Sequence, residues 1–140
     1  MGFTLDWTPP KITTTQSAVA YEEGYAPLIH EGWARKDGSE APARRWVDAG
    51  VDEFDFIEWF FFSYATEGEN LSSAFRAMMW QFYDHLHEIM LEPRWNWDRA
   101  TKREDGSIVT SPRDIYDTGQ LYESQTLTFD QGGDGDERDA

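Results

Sequence analysis

The sequence predicts an α+β domain: a twisted, mainly antiparallel sheet packed against one long helix. Three observations predict it. From Leu71 to Leu91, the residues Leu71, Phe75, Met78, Phe82, Leu86 and Ile89 recur at helical spacing and form one apolar stripe. On both sides of that helix lie short runs that alternate apolar and polar, or that are rich in β-branched residues, as strands are. Asp-Gly pairs at Asp37-Gly38 and Asp105-Gly106 stand where such strands must turn back, because both residue types tolerate φ > 0. A chain of 140 residues fits one domain, which we assign to residues 1–130. The stretch 131–140, rich in Gly and Asp, has nothing to bury and reads as a disordered acidic tail.

Taken in order, Phe3 to Trp7 alternates as a short strand does, and Pro9-Pro10 stops it. Ile12 to Tyr21, with Thr13, Thr14, Thr15 and Val19, favours a second strand, and Gly24 marks a turn. Tyr25 to Gly32 reads as an edge strand that tolerates Pro27, ends at Gly32 and points His30 and Glu31 to opposite faces. Trp33 to Glu40 forms an extended hairpin or flap around Asp37-Gly38. Pro42 suits a first helical turn, so a helix is expected from Pro42 to about Glu53. Phe54 to Tyr64 is apolar in every direction as a helix and on both faces as a strand; either way it carries more apolar surface than a small monomer covers. Glu67-Gly68-Glu69 breaks it, Asn70 caps the long helix, and Glu92-Pro93 ends that helix. Trp80 lies opposite the apolar stripe among Arg76, Asp84 and His87, and with Tyr83 suggests a second packing surface. Trp95 to Arg103 and Ile108 to Thr110 form a hairpin, and Tyr122 to Phe129 the last strand.

Composition narrows function. The formal net charge is −15 and the pI about 4.3, which disfavours binding to nucleic-acid backbones. Such a surface suits DNA that must slide past, or a protein that imitates DNA. Without cysteine there is no disulfide, thiolate metal site or Cys nucleophile. The apolar run Trp59 to Phe62 is far short of the ~20 residues that span a bilayer. With no signal pattern at the start, the chain reads as soluble and assembled inside the cell. Seven Trp, nine Phe and six Tyr in so small a domain imply either an aromatic core or aromatic contact surfaces.

Candidate chemistry is sparse. His85 and His87 project about 200° apart on a helix, so they cannot share a metal. The pair reads as a helix-edge His85 and an exposed His87. Pairs such as Glu22-Glu23, Glu67/Glu69 and Asp114/Asp117 read as solvated surface in so acidic a chain. Asp130, Asp134 and Asp136 lack the spacing and closing Glu of an EF-hand loop. Asp117-Thr118-Gly119 matches the aspartic-protease triplet, but a polar segment follows it rather than an apolar strand. No phosphate-binding or nucleophile motif is present. We therefore assign no catalytic, metal or cofactor residues.

Two phrases remain. Tyr25-Ala26-Pro27-Leu28-Ile29-His30-Glu31-Gly32 is followed, after a loop, by Pro42-Ala43-Arg44-Arg45-Trp46; far away stands Asp117-Thr118-Gly119-Gln120-Leu121-Tyr122-Glu123-Ser124. Together they resemble the tail-completion, or neck, proteins of tailed bacteriophages, tail-terminator-like members included. The matching residues are Tyr25, Ala26, Gly32, Pro42, Arg44, Trp46, Asp117, Thr118, Gly119 and Leu121, within about half of the chain. In that family the long helix and the Asp-Thr-Gly segment usually precede the Tyr-Ala phrase; here they follow it.

The resemblance implies a structural virion protein at the head–tail neck or the tail terminus, not an enzyme. It implies a ring, a hexamer or a dodecamer of this chain, assembled in the host cytoplasm against connector, neck or tail-tube proteins. DNA would pass the lumen as non-adhering cargo, with no membrane partner and no cofactor. Surface aromatics and the basic loop mark Trp33, Arg35, Lys36, Phe56, Trp59, Trp80 and Tyr83 as candidate interface residues. The alternative is an acidic DNA mimic that occupies a DNA-binding protein.

Overall fold

A computed structural model describes residues 16–103, 105–116 and 119–130. Their order is β1 (Ser17–Tyr21), α1 (Ala26–Glu31), β2 (Trp33–Ala34), β3 (Glu40–Ala41), α2 (Trp46–Glu53), α3 (Phe56–Thr66), α4 (Leu71–Leu91), β4 (Thr101–Lys102), β5 (Ile108–Val109), α5 (Gln120–Glu123) and β6 (Gln125–Phe129). Mixed helix and strand with one long helix is as expected.

That helix, α4, organises the rest. Asn70 sits in extended backbone and its side chain accepts the Ser73 N–H at 2.9 Å, capping the first turn. Glu92 is extended, as the residue before Pro93 is driven to be, and the helix stops. One side of α4 meets the other helices. Phe82 packs edge-on against Phe54 at 5.4 Å between ring centres, and Phe56 lies 4.9 Å from the same ring. Trp46 of α2 is 1 % exposed and joins Leu86, Ile89 and Met90 as the largest fully buried side chains. α2 can approach this closely because Gly50 faces Leu86: a Cβ on Gly50 would stand 2.3 Å from Leu86 Cδ2. Asp55, accepting from the Glu58 N–H, starts α3 anew after extended Phe54.

The opposite side of α4 carries Trp80 and Tyr83, and the chain covers it itself. Tyr83 donates its hydroxyl to the Gln125 carbonyl at 3.1 Å, and Gln125 Nε2 returns a bond to the Tyr83 carbonyl at 2.9 Å. Gln125 Oε1 accepts from Tyr21 at 2.6 Å, so this buried amide ties α4, β1 and β6 together. His87 stacks on Tyr122 at 3.8 Å and donates to its carbonyl, and Arg76 lies over the Phe129 ring. His87 is thus half-buried, not exposed. The layers are α2 and α3, then α4, then the β1–β6 ribbon.

The sheet differs from expectation. In place of one twisted sheet, the described residues hold three separate two-stranded antiparallel ribbons: β1–β6, β2–β3 and β4–β5. In β1–β6, Ser17 stands opposite Phe129 and Tyr21 opposite Gln125. Helices at both exits prevent the ribbon from lengthening: α1 follows β1, and α5 takes Tyr122 and Glu123, expected in the last strand. The expected strand from Trp95 is reduced to a Trp95–Arg113 bridge and the two residues of β4.

Two further elements are corrected. Tyr25 to Gly32 is not a strand. Pro27 falls in the first turn of α1, where no N–H is required, and the Ile29 N–H reaches back to the Tyr25 carbonyl. His30 and Glu31 do not oppose each other; His30 Nδ1 and Glu31 Oε1 are 2.8 Å apart. Gly32 ends the helix at φ 84°, and a Cβ there would meet the Ala41 carbonyl at 2.5 Å. Nor does Pro42 begin a helix. The Arg44 N–H donates to the Ile29 carbonyl at 3.0 Å, holding this segment against α1, and α2 starts only at Trp46. The expected strand Phe3–Trp7, the start of Ile12–Tyr21, Asp117, Thr118 and the tail 131–140 lie outside the described residues. Among the described residues no helix is long and apolar enough to cross a membrane.

Candidate functional site: an arginine-lined cavity

The site grows from two turns written in the same residues. Arg35-Lys36-Asp37-Gly38-Ser39 joins β2 to β3, and Arg103-Glu104-Asp105-Gly106-Ser107 joins β4 to β5. In each, the Gly N–H donates to the Arg carbonyl, at 3.1 and 2.9 Å, and the Arg N–H to the Ser carbonyl, at 2.8 Å in both. Each Asp accepts both the N–H and the hydroxyl of its Ser. Gly38 and Gly106 take φ 88° and 92°, which only glycine adopts without strain. Behind each hairpin a proline-bearing segment leads to a buried arginine: Pro42-Ala43-Arg44 and Pro112-Arg113.

Both arginines converge on one ring. The guanidinium carbon of Arg44 lies 4.4 Å from the centre of Trp97, that of Arg113 4.9 Å, and that of Arg35 5.4 Å. Arg44 Nη1 donates to the Asp114 carbonyl and Arg113 Nη1 to Thr101 Oγ1, each at 3.1 Å. Arg35 forks onto Asp98 with bonds of 2.6 and 2.9 Å, latching the first hairpin to the segment after α4. Arg99 returns the latch to Ser39 at 3.0 Å and, more loosely, to Asp37 at 3.4 Å. The Arg35 guanidinium pulls the Asp98 carboxyl down to about 2, and Asp98 in turn raises Arg35. Asp37 is also lowered, first by its bonds from Ser39 and less by Arg99.

Beside this cluster opens a cavity of about 640 Å³. Tyr25, Leu28 and Ile29 form the α1 wall, and Tyr116, Gly119, Leu121 and Tyr122 the wall before β6. Four arginines line it, Arg35, Arg44, Arg99 and Arg113, and among the described residues no Asp or Glu does. The chain has only 12 Lys and Arg against 27 Asp and Glu, so a third of its cations surround one hollow.

The sequence-predicted residues divide accordingly. Tyr25, Trp33, Arg35, Arg44, Gly119 and Leu121 line the cavity. Ala26 and Trp46 lie in the core, and Gly32 and Pro42 shape the connection between α1 and α2. Lys36 is exposed at the hairpin tip. Trp80 and Tyr83 are half-buried, their rings 5.0 Å apart edge to face. Phe56 and Trp59 pack against Phe54. The outward face of α3 is instead Ile57, Phe61 and Phe62. Sequence reasoning passed over Trp97, Arg99 and Arg113; the twice-written Arg-x-Asp-Gly-Ser turn, each followed by proline and arginine, is a signal for Arg113, and no local signal marks Trp97 or Arg99. Among the described residues no group of three His, Asp or Glu could hold a metal ion.

No family model, curated protein or solved structure matches this chain.

Proposed function

We propose that this protein is a structural component of a tailed-phage virion, a ring-forming subunit at the head–tail neck or tail terminus. The observation that carries the reading is the pairing of β1 with β6. It brings the Tyr25–Gly32 phrase and the Gly119–Ser124 phrase, remote in sequence, to either side of one cavity, where Tyr25 faces Gly119 and Leu121. Gln16 and Asp130 bond to each other at the outer end of the ribbon, so the two ends of the described chain meet there. A permuted relative of the family would need its ends joined near residues 16 and 130, which lie together here.

The outward face of α3 supports the assembly half of the reading. Ile57, Phe61 and Phe62 are 71 %, 64 % and 57 % exposed on consecutive turns, an apolar surface of the kind that subunit contacts cover. A net charge of −15 lets DNA traverse a ring without adhering. In this reading the finer fold is a family-like sheet completed between neighbouring subunits, the short ribbons offering their edges. Light scattering across a concentration series tests it. A discrete ring, a hexamer or larger, is the expected result. A chain that stays monomeric at millimolar concentration overturns it.

A further inference from the structure

We propose that the outer face of α3 in one copy of this chain docks into the cavity of a second copy, a head-to-tail contact with Phe61 and Phe62 at its centre. The inference deepens the ring reading and rests on its premise that copies of the chain associate. Two unlike surfaces carry it. Ile57, Phe61 and Phe62 form a convex apolar face, and no residue of α3 lines the cavity. The cavity is the concave counterpart. Leu28 at its edge is 51 % exposed, and Tyr25, Ile29, Tyr116 and Tyr122 continue an apolar and aromatic wall. At about 640 Å³ it has the size of a small-molecule site, so a pair of phenyl rings fits.

The polar groups of the cavity select an uncharged guest. Arg35 is forked onto Asp98, and Arg99 is paired with Asp37 and Asp98. Arg44 and Arg113 donate to the Asp114 carbonyl and to Thr101 Oγ1. With these bonds in place the arginines do not call for an anion, and an incoming cation meets like charge; an aromatic side chain meets neither obstacle. Charge also decides for a head-to-tail contact over a two-fold one. Residues 46–75, which hold α2 and α3, carry seven Asp and Glu and no Lys or Arg. Residues 33–44 and 95–114, which hold both hairpins, carry six Asp and Glu against seven Lys and Arg. Two α3 faces set against each other bring like charges together, whereas α3 set against the hairpins does not. At roughly 200 Å² for each side chain, the α3 face offers about 380 Å², a little under half of the ~800 Å² that one partner of a stable complex buries. It therefore forms the core of the contact, with the charged flanks as its rim. Such a heterologous contact propagates, into a ring where the rotation closes and into a filament where it does not.

The test pairs two defective chains. Phe61→Ser with Phe62→Ser removes the face and keeps the cavity; Leu28→Glu, at an exposed position of α1, sets a carboxylate at the cavity edge and keeps the face. Leu28→Glu alone should weaken self-association about tenfold or more in sedimentation velocity, with urea unfolding to show that the chain is folded. Leu28→Ala, which only shortens the side chain, should act in the same direction by about threefold. Mixed, the Phe61/Phe62 variant and Leu28→Glu keep one intact cavity and one intact face between them. They should form a 1:1 pair of twice the 16.2 kDa chain mass and nothing larger. The proposal is overturned if both Leu28 variants assemble as the parent does, or if the mixture yields no 1:1 pair. A parent ring that is indifferent to Leu28 refutes this contact and leaves the ring reading standing. A parent that forms open filaments sensitive to Leu28 refutes the ring and leaves this contact standing.

Discussion

Replacing Phe61 and Phe62 together by serine should break self-assembly while leaving the subunit folded. The two rings are 64 % and 57 % exposed in the isolated chain. A phenylalanine presents roughly 200 Å² of surface, so the pair leaves about 240 Å² open to water. Covering that area at ~25 cal/mol per Å² is worth about 6 kcal/mol as a ceiling. Interfaces realise only part of such a figure, because association also orders side chains and removes rigid-body freedom. Taking half, about 3 kcal/mol, the double variant should associate on the order of 100-fold more weakly. Its own stability should fall by only about 1–2 kcal/mol, because the rings are more than half exposed and their covered part, such as the Phe62 edge against Trp59 at 5.6 Å, is small. Sedimentation velocity across a concentration series reads the first effect and urea unfolding the second. A variant with the parent's mass distribution at every concentration would refute the assignment of this face to a subunit contact.

Other outcomes follow from single contacts. Gly50→Ala places a Cβ against Leu86, which has 0 % exposure and nowhere to move; the clash should cost about 1–3 kcal/mol, against at most ~1 kcal/mol of improved helix propensity, and thermal unfolding should show a lower Tm. An unchanged or raised Tm would mean that α2 and α4 are not so closely apposed. Gln125→Met leaves the Tyr21 hydroxyl and the Tyr83 carbonyl without their partner and should cost about 2–3 kcal/mol. Adding Tyr21→Phe should recover part of that loss in denaturant melts; strict additivity would argue against a shared network. The Arg35–Asp98 latch is acid-sensitive with a definite sign. Asp98 lies at about 2 in the fold against an ordinary 3.8, so its contribution is complete above about pH 4 and is lost as pH falls through 2. Because the pair is partly solvent-exposed, salt should weaken it too. The amide signal of Asp98, followed by NMR, should shift over that range, and in Asp98→Asn that shift should be lost while the Asp37-Gly38 turn still reports the titration of Asp37 itself.

Elements specified by local chemistry are legible in the sequence itself. The apolar stripe from Leu71 to Ile89, bounded by a capping Asn70 and a terminating Pro93, needs no distant partner to be read as a helix. The Asp-Gly turns are equally local: each Asp bonds its own Ser, and each Gly takes the positive φ. By contrast, Tyr25 to Gly32 is too short to display a period, and Pro27 suits an edge strand as well as a first helical turn. What decides for the helix is the contact its last turn makes with Arg44, a residue beyond the hairpin. Tyr122 and Glu123 alternate like a strand but are claimed by the turn that Gly119 begins at φ 90°.

The candidate site divides in the same way. By itself the sequence determined the long helix, its caps, both hairpin turns, the acidity of the chain and the excess of aromatic side chains, because each depends on neighbouring residues or on composition. Only the tertiary structure decided that Arg44 and Arg113 meet over Trp97, that Tyr83 turns inward to Gln125, and that Phe61 and Phe62 are aromatics left outside. These are outcomes of competition for a limited interior. α4 has two sides to cover, and the chain places β6 on one and the inner face of α3 on the other. The outer face of α3 is left to water or to a neighbour, because no described element remains to cover it.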